Sequence, residues 1–201
     1  MFEKIIIACS NEEKVSELKE LLKGLGIEAV SAKSMKIPGV ERLGKNLHEC
    51  GALFAQQIAD ETGFPCITED SGISVSALGG KPGLYAQGYL KNGNYSLAMK
   101  MVLAELEGIQ RISERNAVFT CVLTLATPCQ DGRQTIEFFQ SSISGCVPFE
   151  ISGTGIGFEP IFIPDGAYKV LARMDAEERQ RYCHRCKALN KLIDYLKQQQ
   201  S

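Results

Sequence analysis

The 201-residue chain has no apolar run long enough to span a bilayer, no low-complexity tract, no internal repeat and no flexible linker. The first absence argues against a membrane helix, which needs about 20 consecutive apolar residues. The others point to a globular chain with a real core and to one domain over residues 1–201. An excess of one charge is missing too. With 22 Lys and Arg against 24 Asp and Glu, the net charge is −2 and the signs are well mixed. That balance argues against an extended nucleic-acid face and still allows a local basic patch for a small anionic ligand. The opening MFEKIIIACSN holds too short an apolar run for a signal peptide. The eight cysteines are therefore expected as reduced thiols of a cytoplasmic protein rather than as a disulfide scaffold. Cys183-His184-Arg185-Cys186 has no second closely spaced pair to complete a zinc site. It begins a C-terminal helix instead of following an early strand, so two cysteines packing at a helix start is the expectation rather than a redox motif.

What is present reads as an α/β chain. Glu3 to Cys9 is a β-branched, apolar strand, and Ser10-Asn11 offers a cap for a helix over Glu12 to Lys23. Ile27 to Val30 follows as a short strand, and Leu47 to Thr62 has the spacing of an amphipathic helix. The stretch ITEDSGISVSALGGKPGLY (67–85) reads as strand, turn, strand. A helix is predicted over Asn94 to Leu106, and neighbouring antiparallel strands over Arg115 to Ala126 and Thr135 to Val147. A glycine-rich loop, GTGIGFEPIFI, flows into a strand, and two helices over Asp175 to Arg181 and Cys183 to Gln198 close the chain. Opening strand–helix units with hairpins in the middle predict a mixed sheet.

Three constellations carry possible chemistry. The turn Cys9-Ser10-Asn11-Glu12-Glu13-Lys14 places backbone N–H groups, Asn11 and Lys14 where a phosphate would sit; an ordinary helix cap above a solvated lysine is the plainer reading. Glu69 and Asp70 offer adjacent hard oxygen donors suited to Mg²⁺ and substrate phosphates, and an Asp70-capped turn at Ser71-Gly72 explains them equally well. Arg179, His184 and Arg185 supply donors for phosphate or for the acceptor atoms of a base, against the alternative of a basic helix start.

In order along the chain, four blocks resemble the inosine triphosphate pyrophosphatase family, which removes non-canonical purine nucleotides. KIIIACSNEEK resembles that family's strand followed by T-G-N-x-x-K. TEDSGISVSALGGKPGLY resembles its [DE]-D-[ST]-G…ALGG-x-PG-x-Y segment, GTGIGFEPIF its GFG-[YW]-DP-x-F loop, and EERQRYCHRCKALNKL its E-[EK]-K…SHR-x-AL block. The resemblance implies a long, twisted mixed sheet with flanking helices, forming two lobes around a central cleft, and a homodimer. It implies Mg²⁺-dependent hydrolysis of a nucleoside triphosphate to the monophosphate and pyrophosphate, with preference for 6-oxo purines and with no nucleic-acid or membrane partner. Asp70 would activate the water, and Glu69 and Asp70 would hold or orient the metal. Ser71 would sit beside the phosphates, while Cys9, Ser10, Asn11 and Lys14 would grip them. Phe158 and Glu159 would line the base pocket, His184 and Arg185 would read the base, Arg185 donating to its 6-oxo group, and Ile156, Gly157 and Arg179 would be further substrate-binding residues.

The chain departs from the pattern at several of these positions. Cys9-Ser10 replaces Thr-Gly. Phe54 stands where the family has a phosphate-contacting lysine, and Ile156 where it has a stacking aromatic. Glu159 replaces Asp, and Ala86-Gln87-Gly88 replaces S-A-R. The acidic metal ligand ahead of the second helix falls on Arg42, with Glu41 restoring it after a slip of one residue. These changes leave two alternatives open: the same chemistry on another modified or pyrimidine nucleotide, or a nucleotide- or protein-binding module with little turnover.

Overall fold

The computed structural model describes residues 2–9, 11–35, 37, 44, 46–83, 94–129 and 133–200. β1 (Lys4–Ala8, KIIIA) is apolar on both faces. It pairs in parallel with β2 (Glu28–Ser31), Ile6 opposite Val30, and with β3 (Cys66–Val75), Ile7 opposite Ile67. Between β1 and β2 lies α1 (Glu12–Lys23), which buries Val15, Leu18 and Leu22. The parallel β1–β3 connection carries α2 (Leu47–Thr62), capped by Asn46 and stopped by Gly63 in a left-handed conformation at φ 72°. Both helices match the ranges predicted from apolar spacing.

β3 differs from expectation. No turn forms at Ser71-Gly72; the strand runs unbroken from Cys66 to Val75, and a short 3-10 turn over Ser76–Leu78 takes the place of the second strand's end. Residues 66–70 are all buried. In that setting a regular ladder satisfies the main chain, whereas a buried turn would leave N–H and C=O groups without partners. Glu69 and Asp70 therefore sit mid-strand.

α3 (Tyr95–Glu105) is capped by Asn94. β4 (Asn116–Ala126) and β5 (Ile136–Cys146) are neighbours in the sheet. They run antiparallel, since the main-chain bond from Val147 to Arg115, the Thr120–Ser142 hydroxyl pair and the main-chain bond from Thr127 to Thr135 step along them in opposite directions. β6 (Ile163–Pro164) pairs antiparallel with β5. α4 (Ala176–Tyr182) opens on a capping box between Asp175 and Glu178, and α5 (His184–Gln198) ends the chain. The sheet order is β2-β1-β3-β4-β5-β6, with five α-helices among the described residues. The mixed α/β class is as predicted. No described helix is long and apolar enough to cross a membrane.

The chain divides into two compact units. The first comprises Met1–Asp70, Val122–Gln140 and Lys187–Ser201; the second comprises Ser71–Cys121 and Ser141–Cys186. Ile6, Ala55, Ile58, Ala59, Cys66 and Ala126 form a core cluster of the first. Val75, Ala98, Val102, Phe119, Phe158, Phe162 and Leu171 belong to that of the second.

Candidate active site

In the first unit, the predicted phosphate cradle is a helix start held by Asn11. Its Oδ1 accepts the N–H groups of Glu13 at 2.8 Å and Lys14 at 3.3 Å, which satisfies two of the orphan donors of α1. Cys9 is half-buried at the end of β1. Ser10 and the candidate metal ligand Glu41 lie outside the described residues.

Lys14 reaches from the first turn of α1 to β3. Its Nζ lies 2.5 Å from Oε1 of Glu69, with the two side chains 13% and 0% exposed. A carboxylate this deep in the protein is tolerated because a cation faces it. Asp70 points the other way, as alternation along a strand requires. Thr68, two residues earlier on the same face, donates from Oγ1 to the carbonyl of Gly51 on α2 at 3.4 Å. A Cβ built on Gly51 would lie 3.3 Å from Oδ2 of Asp70 and would collide with Oγ1 of Thr124. Glycine at 51 is thus what lets α2 close over the Asp70 face of β3.

Gly51→Val is expected to destabilise the fold by about 1–3 kcal/mol through overpacking. The measurement is the urea midpoint, and adding Thr124→Ala to the variant should give back part of the loss.

Glu69 is paired with Lys14, and Asp70, the other acid of the predicted metal pair, lies beside Gly51 of α2. Among the described residues, no three His, Cys, Asp or Glu side chains come together as a metal cluster. The donor set still fits a hard cation of the Mg²⁺ type, which is commonly held by one or two carboxylates together with substrate phosphates. Asp70, 8% exposed and on the face opposite the Lys14–Glu69 pair, is the acid with that chemistry.

In the second unit, Glu159 organises the glycine-rich loop. Its carboxylate receives Nη2 of Arg179 at 2.6 and 2.7 Å and the main-chain N–H of Ile156 at 3.0 Å. Gly155 leaves room for this arrangement, since a Cβ there would come within 2.6 Å of Oε2 of Glu159. Arg179, predicted as a donor to the ligand, is thus matched to a protein carboxylate, a pairing that sequence reasoning missed. Gly157 takes φ 64° and passes close to the ring of Tyr95. The Phe158 ring is 1% exposed and meets Tyr95 edge-on at 5.5 Å, so its surface is spent on core packing rather than on lining a base pocket. Ser71 follows Asp70 on β3 and is half-buried.

His184 starts α5. It is 6% exposed and lies over the ring of Phe119, with centroids 4.3 Å apart and planes inclined by 37°. Phe119 was not a predicted site residue. The available signal was alternation in NAVFTCVLTLA, which buries Ala117, Phe119 and Cys121 on one face of β4. Arg185 follows, half-buried on the first turn of α5. The residues on either side of this pair correct another expectation: Cys183 and Cys186 are joined in a disulfide. Their spacing across one helical turn brings the two Cα atoms to 5.2 Å, within the ordinary span of such a bridge.

Comparison with known proteins gives a consistent result. The model of the Ham1 family matches residues 5–195. A dITP/XTP pyrophosphatase of Bacillus licheniformis is 35% identical over 198 residues, covering 97% of this chain and 98% of the relative. One from Ruegeria pomeroyi is 33% identical over 193 residues, 94% of this chain and 93% of the relative. A solved HAM1 protein from Coxiella burnetii superposes with a TM-score of 0.85 at 30% identity, covering 98% of this chain and all of that one.

Proposed function

Since the chain belongs to the Ham1 family, we propose that it hydrolyses non-canonical purine nucleoside triphosphates, ITP, dITP and XTP, to the nucleoside monophosphate and pyrophosphate. The observation that carries the reading is a pair of adjacent buried carboxylates on β3, Glu69 balanced by Lys14 and Asp70 packed beside Gly51. The names of the relatives, dITP/XTP pyrophosphatase, support the substrate class.

In this reading Asp70 accepts the proton of the water that attacks the α-phosphorus, and the bond to the leaving pyrophosphate oxygen breaks. Lys14, oriented by Glu69, binds the phosphates, and Cys9, Ser10, Asn11 and Ser71 serve as further phosphate-binding residues. Asp70, with Glu41 as a further oxygen donor, would hold a Mg²⁺ ion. The ion supplies charge neutralisation at the phosphoryl oxygens when bound. His184, braced by Phe119, and Arg185 read the purine, and the 6-oxo acceptor pairs with a donor that adenine would leave unmatched. Glu159 and Arg179 hold the loop that carries Ile156 and Gly157 against that base. The chain acts as one domain, residues 1–201, in a cytoplasmic homodimer; the match of a single family model across residues 5–195 supports the one-domain reading.

One observation bears on the strength of the triphosphate grip. Phe54, where the resemblance expects a phosphate-contacting lysine, packs against the Ile6–Ala55–Ile58 cluster of the first unit. The grip on the triphosphate then rests more heavily on Lys14.

The test is pyrophosphate release with Mg²⁺ over ITP, dITP, XTP, the canonical triphosphates and modified pyrimidine triphosphates. The expected result is a kcat/KM for ITP or XTP at least about tenfold above that for ATP. No release from any triphosphate by the folded protein would overturn the enzymatic reading. Turnover confined to pyrimidines would overturn the substrate class.

A further inference from the structure

We propose that Cys183 and Cys186 form a thiol–disulfide exchange site that sets how firmly His184 and Arg185 are held. The identity of what those two residues read rests on the proposed function; the exchange site itself does not. The bridge joins Cys183, the last residue before α5, to Cys186 on its first turn, and encloses only His184 and Arg185.

Cys183 has extended backbone, φ −73° and ψ 92°, and ends α4 as α5 begins. Its Sγ accepts the N–H of Cys186 at 3.0 Å, as the side-chain oxygen of an N-cap serine or aspartate would. The bridge therefore sits where the helix carrying Arg179 gives way to the helix carrying His184 and Arg185.

The bridge sets this pair apart: Cys9, Cys50 and Cys146 are also half-buried and Cys129 is exposed, yet none of these is disulfide-bonded. Cys183 and Cys186 are half-buried rather than sealed in the core. Cys66 and Cys121 are fully buried. Burial pushes the thiols of Cys66 and Cys146 up, away from the reactive thiolate.

Formation of the bridge is a balanced exchange. The Cys183 thiolate attacks one sulfur of a low-molecular-weight disulfide and displaces one thiolate, giving a mixed disulfide. The Cys186 thiolate then attacks Sγ of Cys183 and displaces the second. The protein dithiol loses two electrons and two protons, and the small disulfide is reduced to two thiols.

With the bridge closed, the first turn of α5 is covalently fixed while His184 packs on Phe119. With it open, that turn loses its covalent tie and keeps its hydrogen bonds and the Phe119 contact, so a ligand must restrict more motion on binding. The cost falls on binding rather than on the chemical step, because Asp70 lies outside the bridged segment.

The experiment uses the full-length protein equilibrated across ratios of reduced to oxidised glutathione. Alkylation and mass spectrometry of the 183–186 peptide should show two thiols appearing together as the ratio rises. The KM for ITP should rise about three- to tenfold on reduction with kcat changing less than about twofold. Cys183→Ser/Cys186→Ser should show the reduced protein's KM at every ratio. Hydrogen–deuterium exchange at the start of α5 should be faster in the reduced protein, a readout that needs no turnover. If no triphosphate is hydrolysed, the proposed function fails while thiol counts and exchange still judge this site. An unchanged KM and exchange rate between the two states would overturn the inference. So would a redox effect that persists in the double serine variant, or a pair that glutathione neither opens nor closes.

Discussion

Asp70→Asn is expected to lower the rate of pyrophosphate release about 10²–10⁴-fold while leaving the fold intact. The carboxamide has nearly the same size and keeps an oxygen on the Gly51 side of β3, so the close approach of α2 survives. It cannot take up the water proton, and it is a poorer partner for a divalent cation. The two roles proposed for Asp70 separate in a Mg²⁺ titration. Loss of the base lowers the plateau rate, and loss of the metal donor raises the Mg²⁺ concentration needed to reach it. Full activity with an unchanged Mg²⁺ requirement would remove Asp70 from both roles and point to Glu41 instead. Circular dichroism and a thermal midpoint within a few degrees of the parent establish that the comparison is between folded proteins.

The helices were legible in the sequence for local reasons. Asn11 caps α1 where the sequence offers Ser10-Asn11, and apolar spacing at Val15, Leu18 and Leu22 or at Ala55, Ile58 and Ala59 sets the buried stripe. Each of these signals lies within a turn or two of the feature it predicts. β3 was misread because the same local logic treats Ser71-Gly72 as punctuation. Burial on both sides decides in favour of a continuous strand, and burial is a property of the neighbours. The candidate site shows the same division. Its residue types were visible in four separated blocks, whereas their pairings were not. Lys14 with Glu69, Glu159 with Arg179 and Phe119 with His184 join residues far apart in the chain. No spacing rule predicts such partners. Even for Cys183 and Cys186, three residues apart, the sequence points to two reduced cysteines packing at a helix start, and the structure joins them.

The Lys14–Glu69 pair yields the largest stability effect. Lys14→Met is expected to destabilise the protein by about 3–5 kcal/mol, because it leaves a fully buried carboxylate facing an apolar chain. For a chain of this size the loss corresponds to a fall of about 6–20 °C in Tm. An exposed pair would behave otherwise, since surface ion pairs contribute about 0–1 kcal/mol. The double variant Lys14→Met/Glu69→Leu removes both charges and should recover most of the stability, giving a coupling energy well above about 1 kcal/mol in the cycle. Activity should not recover with it, because the proposed phosphate grip leaves with Lys14. That split between regained stability and lost turnover distinguishes a functional lysine braced by Glu69 from a purely structural pair. A Lys14→Met cost below about 1 kcal/mol would show that the pair is solvated and that Glu69 braces nothing.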